Sequence, residues 1–439
     1  MTPGTTEDET RVDRKAIAIL IAILSAVFLF RLFFYLILPK DDFDLGTDQW
    51  LLTAKRWVAG DGYSLNPQKT PTAFRGPTVV CFFAGLLYAF QPDDPKWTIL
   101  IGQWLLDVGT ALLLYFVALE VLKDKRAALL ASLMFAFYGP GAYFSLGGWS
   151  EPIYSFILVA FALTLLKALR QPSAWRFGAV GVLLGLAALA RPLSLYHPVL
   201  VLALMLWALR WNVPRVLRLF PCLLVAFCLV VTPWVIRNFL LFDAFIPGTT
   251  SGGFALYNGN TGLGEDDHWR FRSSAECRDL LWHELEEEFG PAPGVDDLSS
   301  YLAAKGINEH EADKFYKASA IESIRSNPYR YVVRSLWRFI PFWFNVGYGR
   351  GEPPSLHTYI VLVANSCLLM LALSAFLFFR GEWVRRGVPL VALVIFTNAA
   401  YMAVIALVRY SVPLAPLLMV FAAHTLVSLW DRRNVLRGA

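Results

Sequence analysis

The sequence predicts an all-α, polytopic membrane protein with about ten transmembrane helices. Three observations carry this reading. Of the 439 residues, 56% are hydrophobic and 15% aromatic, and only 17% are charged, against about 25% charged in a typical soluble protein. Apolar runs recur from residue 16 almost to the C-terminus, and about 20 apolar residues suffice to cross a bilayer. The runs are continuous and not alternating, which excludes a transmembrane β-barrel.

The first run, 16–38, is too long for a signal-peptide core and lacks a small-residue cleavage site, so it reads as a retained helix. Further spans are expected at 97–122, 127–146, 152–169, 176–190, 194–210, 218–240, 357–379, 388–408 and 411–430. Basic residues gather at alternate ends of these runs. They are Arg11, Arg14 and Lys15; Lys123, Lys125 and Arg126; Lys167, Arg170 and Arg176; Arg210, Arg215 and Arg218; Arg380, Arg385 and Arg386; and Arg432, Arg433 and Arg437. By the positive-inside rule these ends face the cytoplasm, as do both termini. The stretch 77–91 is too short to span, and counting it would reverse every later cluster, so it reads as an interfacial or re-entrant helix.

This topology leaves two external loops with interfacial helices, 40–96 and 241–356. The chain divides into a transmembrane catalytic module (1–240, including the loop 40–96), an external loop (241–356) and C-terminal transmembrane helices (357–439). In "TDQWLLTAKRWVAGDGYS", Trp50, Ala54, Trp57 and Val58 fall near one face at helical spacing. The second loop opens with Gly-, Asn- and Thr-rich text at 248–267, which reads as non-helical. Asn308 and Glu311 have capping-box spacing. The segment 327–344 mixes arginines with Tyr, Trp and Phe, as expected of a helix at the headgroup level. Of the five cysteines only Cys277 lies in a polar loop, so no disulfide framework is expected. The histidines make no zinc motif.

Charge at the outer helix ends carries the chemistry. Four aspartates, Asp41, Asp42, Asp44 and Asp48, follow the first helix. Asp41 and Asp42 read as loop solvation, whereas Asp48 opens the amphipathic helix. Asp42 and Asp44 form a DxD triplet, a weak signal for a divalent metal. Glu151 is the only charge on its short connection, at the start of a span where the helix dipole stabilises it. Arg75, Arg191, Arg237 and Arg409 stand at outer helix ends. Snorkelling is the plain account of such arginines; the functional one is bidentate capture of a lipid phosphate. Tyr63, His197, Tyr410 and Asn258, on the same outer segments, are further candidates for substrate contact. Within the spans, Arg31 and Asp107 are expected to pair, because charges inside a bilayer need partners.

Acids and arginines converging beside amphipathic loops suit group transfer from a membrane-bound phosphate, with a sugar on a polyprenyl phosphate as the candidate donor. The stretches "TDQWLLTAKRWVAGDGYS", "PTAFRGPTVV", "GGWSEPIYSF", "GVLLGLAALARP", "TPWVIRNFLLFDAFIPGTTSGGFALYNGN" and "RYSVPLAP", in this order and spacing, resemble the GT-C superfamily of membrane glycosyltransferases. The likeness is strongest to glycosyltransferase family 39, the protein O-mannosyltransferases and the lipid A aminoarabinose transferases. The resemblance implies a GT-C-like helical bundle and a catalytic acid in the first external loop, matched by Asp48 with Asp44 in reserve. It also implies a second external acid, matched by Glu151, and phosphate-binding basic residues, matched by Arg75, Arg191 and Arg409. It leaves metal use open.

The expected enzyme is an inverting glycosyltransferase of the inner membrane with its site facing the periplasm or exterior. Its expected partners are the lipid-linked donor, membrane lipids and an external lipid, glycan or protein acceptor, and not nucleic acid. An O-antigen ligase or polymerase using a lipid-diphosphate donor is the competing enzyme reading. A transporter or lipid flippase would need repeated halves, which the sequence does not show.

Overall fold

The computed structural model describes residues 5–38, 49–65, 69–265, 274–292, 298–344 and 356–438. The helices are α1 (Thr5–Ile37), α2 (Trp50–Val58), α3 (Pro77–Phe90), α4 (Pro95–Leu122), α5 (Lys125–Ala136), α6 (Gly139–Phe144), α7 (Glu151–Arg170), α8 (Ala174–Ala190), α9 (His197–Ala208) and α10 (Val213–Phe242). After these come α11 (Gly252–Asn260), α12 (Ser274–Phe289), α13 (Leu298–Ala304), α14 (Glu309–Ser326), α15 (Pro328–Trp337) and α16 (Phe339–Phe344). The chain closes with α17 (Leu356–Phe378), α18 (Trp383–Val404) and α19 (Ala415–Gly438). Among the described residues, 6 helices are long and apolar enough to cross a membrane. They lie in α1, α4, α7, α10, α17 and α18.

Every expected span is helical, but not every one is continuous. The expected span 127–146 breaks after Ala136, because Pro140, four residues on, has no N–H to give the Ala136 carbonyl, and it resumes as the short α6. Arg31 and Asp107 repair this break. Arg31 Nε donates to Asp107 Oδ2 at 2.9 Å, and its Nη1 donates to the freed carbonyl of Ala136 at 2.5 Å. Ser145, just past α6, donates to the same Asp107 oxygen at 2.5 Å. With Arg31 at 0% and Asp107 at 3% exposure, the expected pair is a structural staple.

Glycine spacing explains the tightest helix contact. On α8, a Cβ at Gly181 would overlap the Leu223 carbonyl of α10, and one at Gly185 would meet Val230 at 2.7 Å. Leu189 then packs with Trp234. Rising numbers meet rising numbers, so α8 and α10 run parallel, and small residues four apart allow the approach. The end of α8 thereby lies beside the end of α10.

The opposite end of the bundle holds surface ion pairs: Arg170 with Glu120 at 2.8 Å, and Arg126 with Asp431 at 2.8 Å. The basic residues around Lys123–Arg126 and Arg170 therefore stand at one end with Asp431, away from Glu151, which starts α7.

The second loop departs from expectation in three places. Residues 252–260 are helical, as α11. Two of their glycines serve close approach and not a turn: a Cβ at Gly253 would overlap the Asp313 carbonyl, and one at Gly259 that of Val404. Cys277 is buried in α12, with its thiol toward Asn258 of α11. The segment 327–344 forms α15 and α16, but two of its arginines face inward. Arg334 is 2% and Arg338 0% exposed. Arg334 donates to the Thr261 carbonyl at 2.7 Å, and Arg338 to that of Met402 at 2.8 Å and to Asn260 Oδ1 at 2.9 Å. These bonds satisfy the bare carbonyl ends of α11 and α18. The capping box of α14 is present as expected, with Asn308 accepting from the Glu311 amide and Glu311 from the Asn308 amide.

Candidate functional site

The helix α7 begins at Glu151, and α8 ends directly before Arg191. An antiparallel turn of the chain therefore brings this acid and this base together. Glu151 Oε1 lies 2.5 Å from Arg191 Nη2 and 3.9 Å from Arg409 Nε. Its Oε2 accepts weakly from the Ser150 hydroxyl at 3.4 Å. Glu151 is 1% and Arg191 6% exposed, while the Arg409 side chain, at 18%, remains the most accessible of the three. One carboxylate between two guanidiniums leaves the trio with a single net positive charge.

Aromatic rings hold the arginines in place. Arg191 lies over Tyr154 at 4.9 Å and Tyr410 at 5.1 Å, and Arg409 over Tyr410 at 5.3 Å and Trp149 at 5.4 Å. Tyr410 stacks flat on Tyr401 of α18 at 4.4 Å, and the Tyr401 hydroxyl accepts from Arg191 Nη1 at 3.3 Å. Guanidiniums on aromatic faces keep their hydrogen-bonding edges available in the ring plane.

A second cationic group adjoins the first. A Cβ at Gly76 would overlap the Leu189 carbonyl, so the segment before α3 presses on the end of α8. This segment carries Arg75, whose guanidinium covers Trp50 at 4.6 Å and Phe74 at 4.7 Å. The Tyr63 hydroxyl donates to the Arg75 carbonyl at 2.7 Å. Burial pushes that hydroxyl's pKa far above its usual value, so it stays a neutral donor. Arg237 covers Tyr63 at 4.9 Å and Trp234 at 4.6 Å. Arg75, Arg191, Arg237, Arg409, Glu151, Tyr63 and Tyr410 thus stand at one end of the bundle.

Two candidates lie elsewhere. His197 is fully buried, its Nε2 3.0 Å from the Thr397 hydroxyl and its ring edge-on to Phe396; it joins α9 to α18. Asn258 is engaged with Cys277 of α12. Asp42, Asp44 and Asp48 lie outside the described residues. In the helix that follows them, the buried face is Trp50, Leu51, Thr53 and Ala54, while Trp57 and Val58 are exposed.

Sequence reasoning missed Trp149, Tyr154, Tyr401 and Trp234 as partners of the arginines. Trp149 sits two residues from Glu151, which was the one local hint. Among the described residues, no three His, Cys, Asp or Glu side chains group closely enough to hold a metal ion.

No family model and no curated protein matches the sequence. Solved structures match its shape, and the likeness is one of fold. The archaeal oligosaccharyltransferase AglB from Archaeoglobus fulgidus, in complex with an inhibitory peptide and a dolichol-phosphate, matches 95% of this chain at a TM-score of 0.57 and 16% identity. The apo form of the Archaeoglobus fulgidus oligosaccharyltransferase matches 95% at 0.57 and 15%. In both cases the chain spans 51% of the longer protein.

Proposed function

We propose that this protein is an inverting glycosyltransferase that moves a sugar from a polyprenyl-phosphate donor to an acceptor at the outer face of the membrane. The observation that carries the reading is the buried Glu151 shared by Arg191 and Arg409 among aromatic rings. A polyprenyl-phosphate sugar is a phosphodiester anion, which arginines held on aromatic faces can bind through their hydrogen-bonding edges. The archaeal protein of the same fold was solved with a dolichol-phosphate, a lipid of this class.

In the proposed step an acceptor hydroxyl attacks the anomeric carbon, the bond from that carbon to the phosphate oxygen breaks, and polyprenyl phosphate leaves. A single displacement inverts the centre. The leaving group gains a second negative charge as the bond breaks, so arginines on the phosphate bind the transition state more tightly than the ground state. Asp48 takes the acceptor's proton, with Asp44 as the alternative. Asp48 stands two residues before Trp50, the ring beneath Arg75. Glu151 serves as the group that orients Arg191 and Arg409, since both guanidiniums already face it.

The termini lie in the cytoplasm with the basic clusters, and the site lies in the periplasm or exterior, where residues 241–356 meet the acceptor. The test is sugar transfer from synthetic polyprenyl-phosphate sugars in membranes carrying Asp48→Asn or Asp44→Asn. Lost transfer with donor binding retained is expected for the base. Full transfer in both variants would sink the assignment.

A further inference from the structure

One carboxylate of the long second loop reaches the segment that carries Arg75. Glu309, the first residue of α14, accepts three hydrogen bonds from two other segments. Its Oε1 accepts from the Thr72 hydroxyl at 2.5 Å, and its Oε2 accepts from the Ala73 amide at 3.0 Å and the Thr250 hydroxyl at 2.9 Å. The Thr250 amide in turn donates to the Ala73 carbonyl at 3.1 Å. Thr72 and Thr250 are buried, at 2% and 3% exposure. A charged acceptor used three times makes a strong and directional joint.

The joint lies two residues before Arg75. Past it the chain has little freedom: the Arg75 carbonyl is held by Tyr63 and Gly76 is pressed on Leu189. The backbone on both sides of Arg75 is therefore fastened, on one side by α8 and on the other by α14. Nothing in the local text of either segment demands this contact, which spans 237 positions of the chain.

We infer that Glu309 is a positioning residue of the donor site, tying the second loop to the Thr72–Ala73 segment so that the Arg75 guanidinium is held at the lipid phosphate. The inference rests on the donor reading of the arginines given above. Helices α11 and α14 then act as part of the site's frame, and removing the carboxylate loosens the backbone beside Arg75 while the bonds of Arg191 stay in place.

The test uses the full-length protein in detergent, with Glu309→Gln and, should that variant fail to fold, Thr250→Val, which removes one of the three bonds. In the first arm, Arg75→Cys is introduced with and without Glu309→Gln, and labelling at position 75 by a maleimide is followed by peptide mass spectrometry. Labelling several-fold faster in the Gln background is expected. In the second arm, binding of a short-chain polyprenyl phosphate is measured for Glu309→Gln, Arg75→Ala and the double variant. Each single change should weaken binding about tenfold, and the pair should lose no more than either alone.

Unchanged labelling at position 75 overturns the inference, as do fully additive losses in the double variant. Wild-type protein that binds no polyprenyl phosphate, with Arg75→Ala making no difference, overturns the donor reading itself and the inference with it. Retained binding in Arg75→Ala, with binding lost in Arg191→Ala, overturns the inference and leaves the donor reading standing. A general folding defect is separated by Arg409→Ala, whose loss should add to that of Glu309→Gln.

Discussion

Replacing Glu151 with Gln removes the one negative charge between two arginines. Arg191 is 6% exposed and keeps only neutral partners, the Ser150 hydroxyl at 3.2 Å and the Tyr401 hydroxyl at 3.3 Å. A pair of charges about 4 Å apart is worth about 4 kcal/mol at an effective dielectric of 20. The variant recovers part of this, because a neutral amide costs less to bury and still accepts a hydrogen bond. The net loss should be about 3 kcal/mol, in the range for breaking a buried pair. The assay is thermal unfolding of the full-length protein in detergent, with and without a short-chain polyprenyl phosphate. The variant should unfold at a lower temperature than wild type. It should then gain more from the lipid phosphate, since the anion supplies the charge that Glu151 gave; ligand at about a hundred times its Kd adds about 2.7 kcal/mol. A variant as stable as wild type, or one that gains no more from the ligand, would refute the reasoning.

Four further outcomes follow. Asp107→Asn should cost about 3–5 kcal/mol by leaving Arg31 unpaired in the bundle, lowering the yield of folded protein while the surviving fraction binds polyprenyl phosphate normally. The double change Arg31→Met with Asp107→Leu should recover part of that loss, read as yield in detergent-resistant form. Gly259→Ala should destabilise by about 1–3 kcal/mol, because its Cβ meets the Val404 carbonyl, and an unchanged unfolding midpoint would count against the α11–α18 contact. Tyr63→Phe removes the bond to the Arg75 carbonyl and should weaken lipid-phosphate binding by about 1 kcal/mol, measured by titration.

The positions of the long apolar helices were legible because length and apolarity are displayed directly in the text, although 6 of the described helices, and not ten, are long and apolar enough to cross a membrane. The pairing of Arg31 with Asp107 was legible for a related reason: two opposite charges in apolar runs have few ways to be satisfied. Breaks inside the spans were harder, since Gly139-Pro140-Gly141 marks a break only once Arg31 is seen to cap the Ala136 carbonyl. The helix α11 was hidden because Gly and Asn usually signal turns, whereas Gly253 and Gly259 serve backbone contact with α14 and α18. His197 carried no sign of which helix its Nε2 would meet. The convergence of Glu151, Arg191 and Arg409 could be suspected from topology, as the expected spans put all three at helix ends on one side. The joint at Glu309 could not, because its partners are remote in sequence and its own surroundings read as an ordinary polar helix start.

The central claim is that the arginine site holds the phosphate of a lipid-linked sugar while the sugar leaves. It is tested most directly by following polyprenyl phosphate release from a panel of synthetic polyprenyl-phosphate sugars in membranes that carry the protein and supply acceptor hydroxyls, wild type against Arg191→Ala and Arg409→Ala. The account predicts release with at least one sugar by wild type, and loss of about a hundredfold or more in each variant. Release that is equal in all three proteins would contradict it.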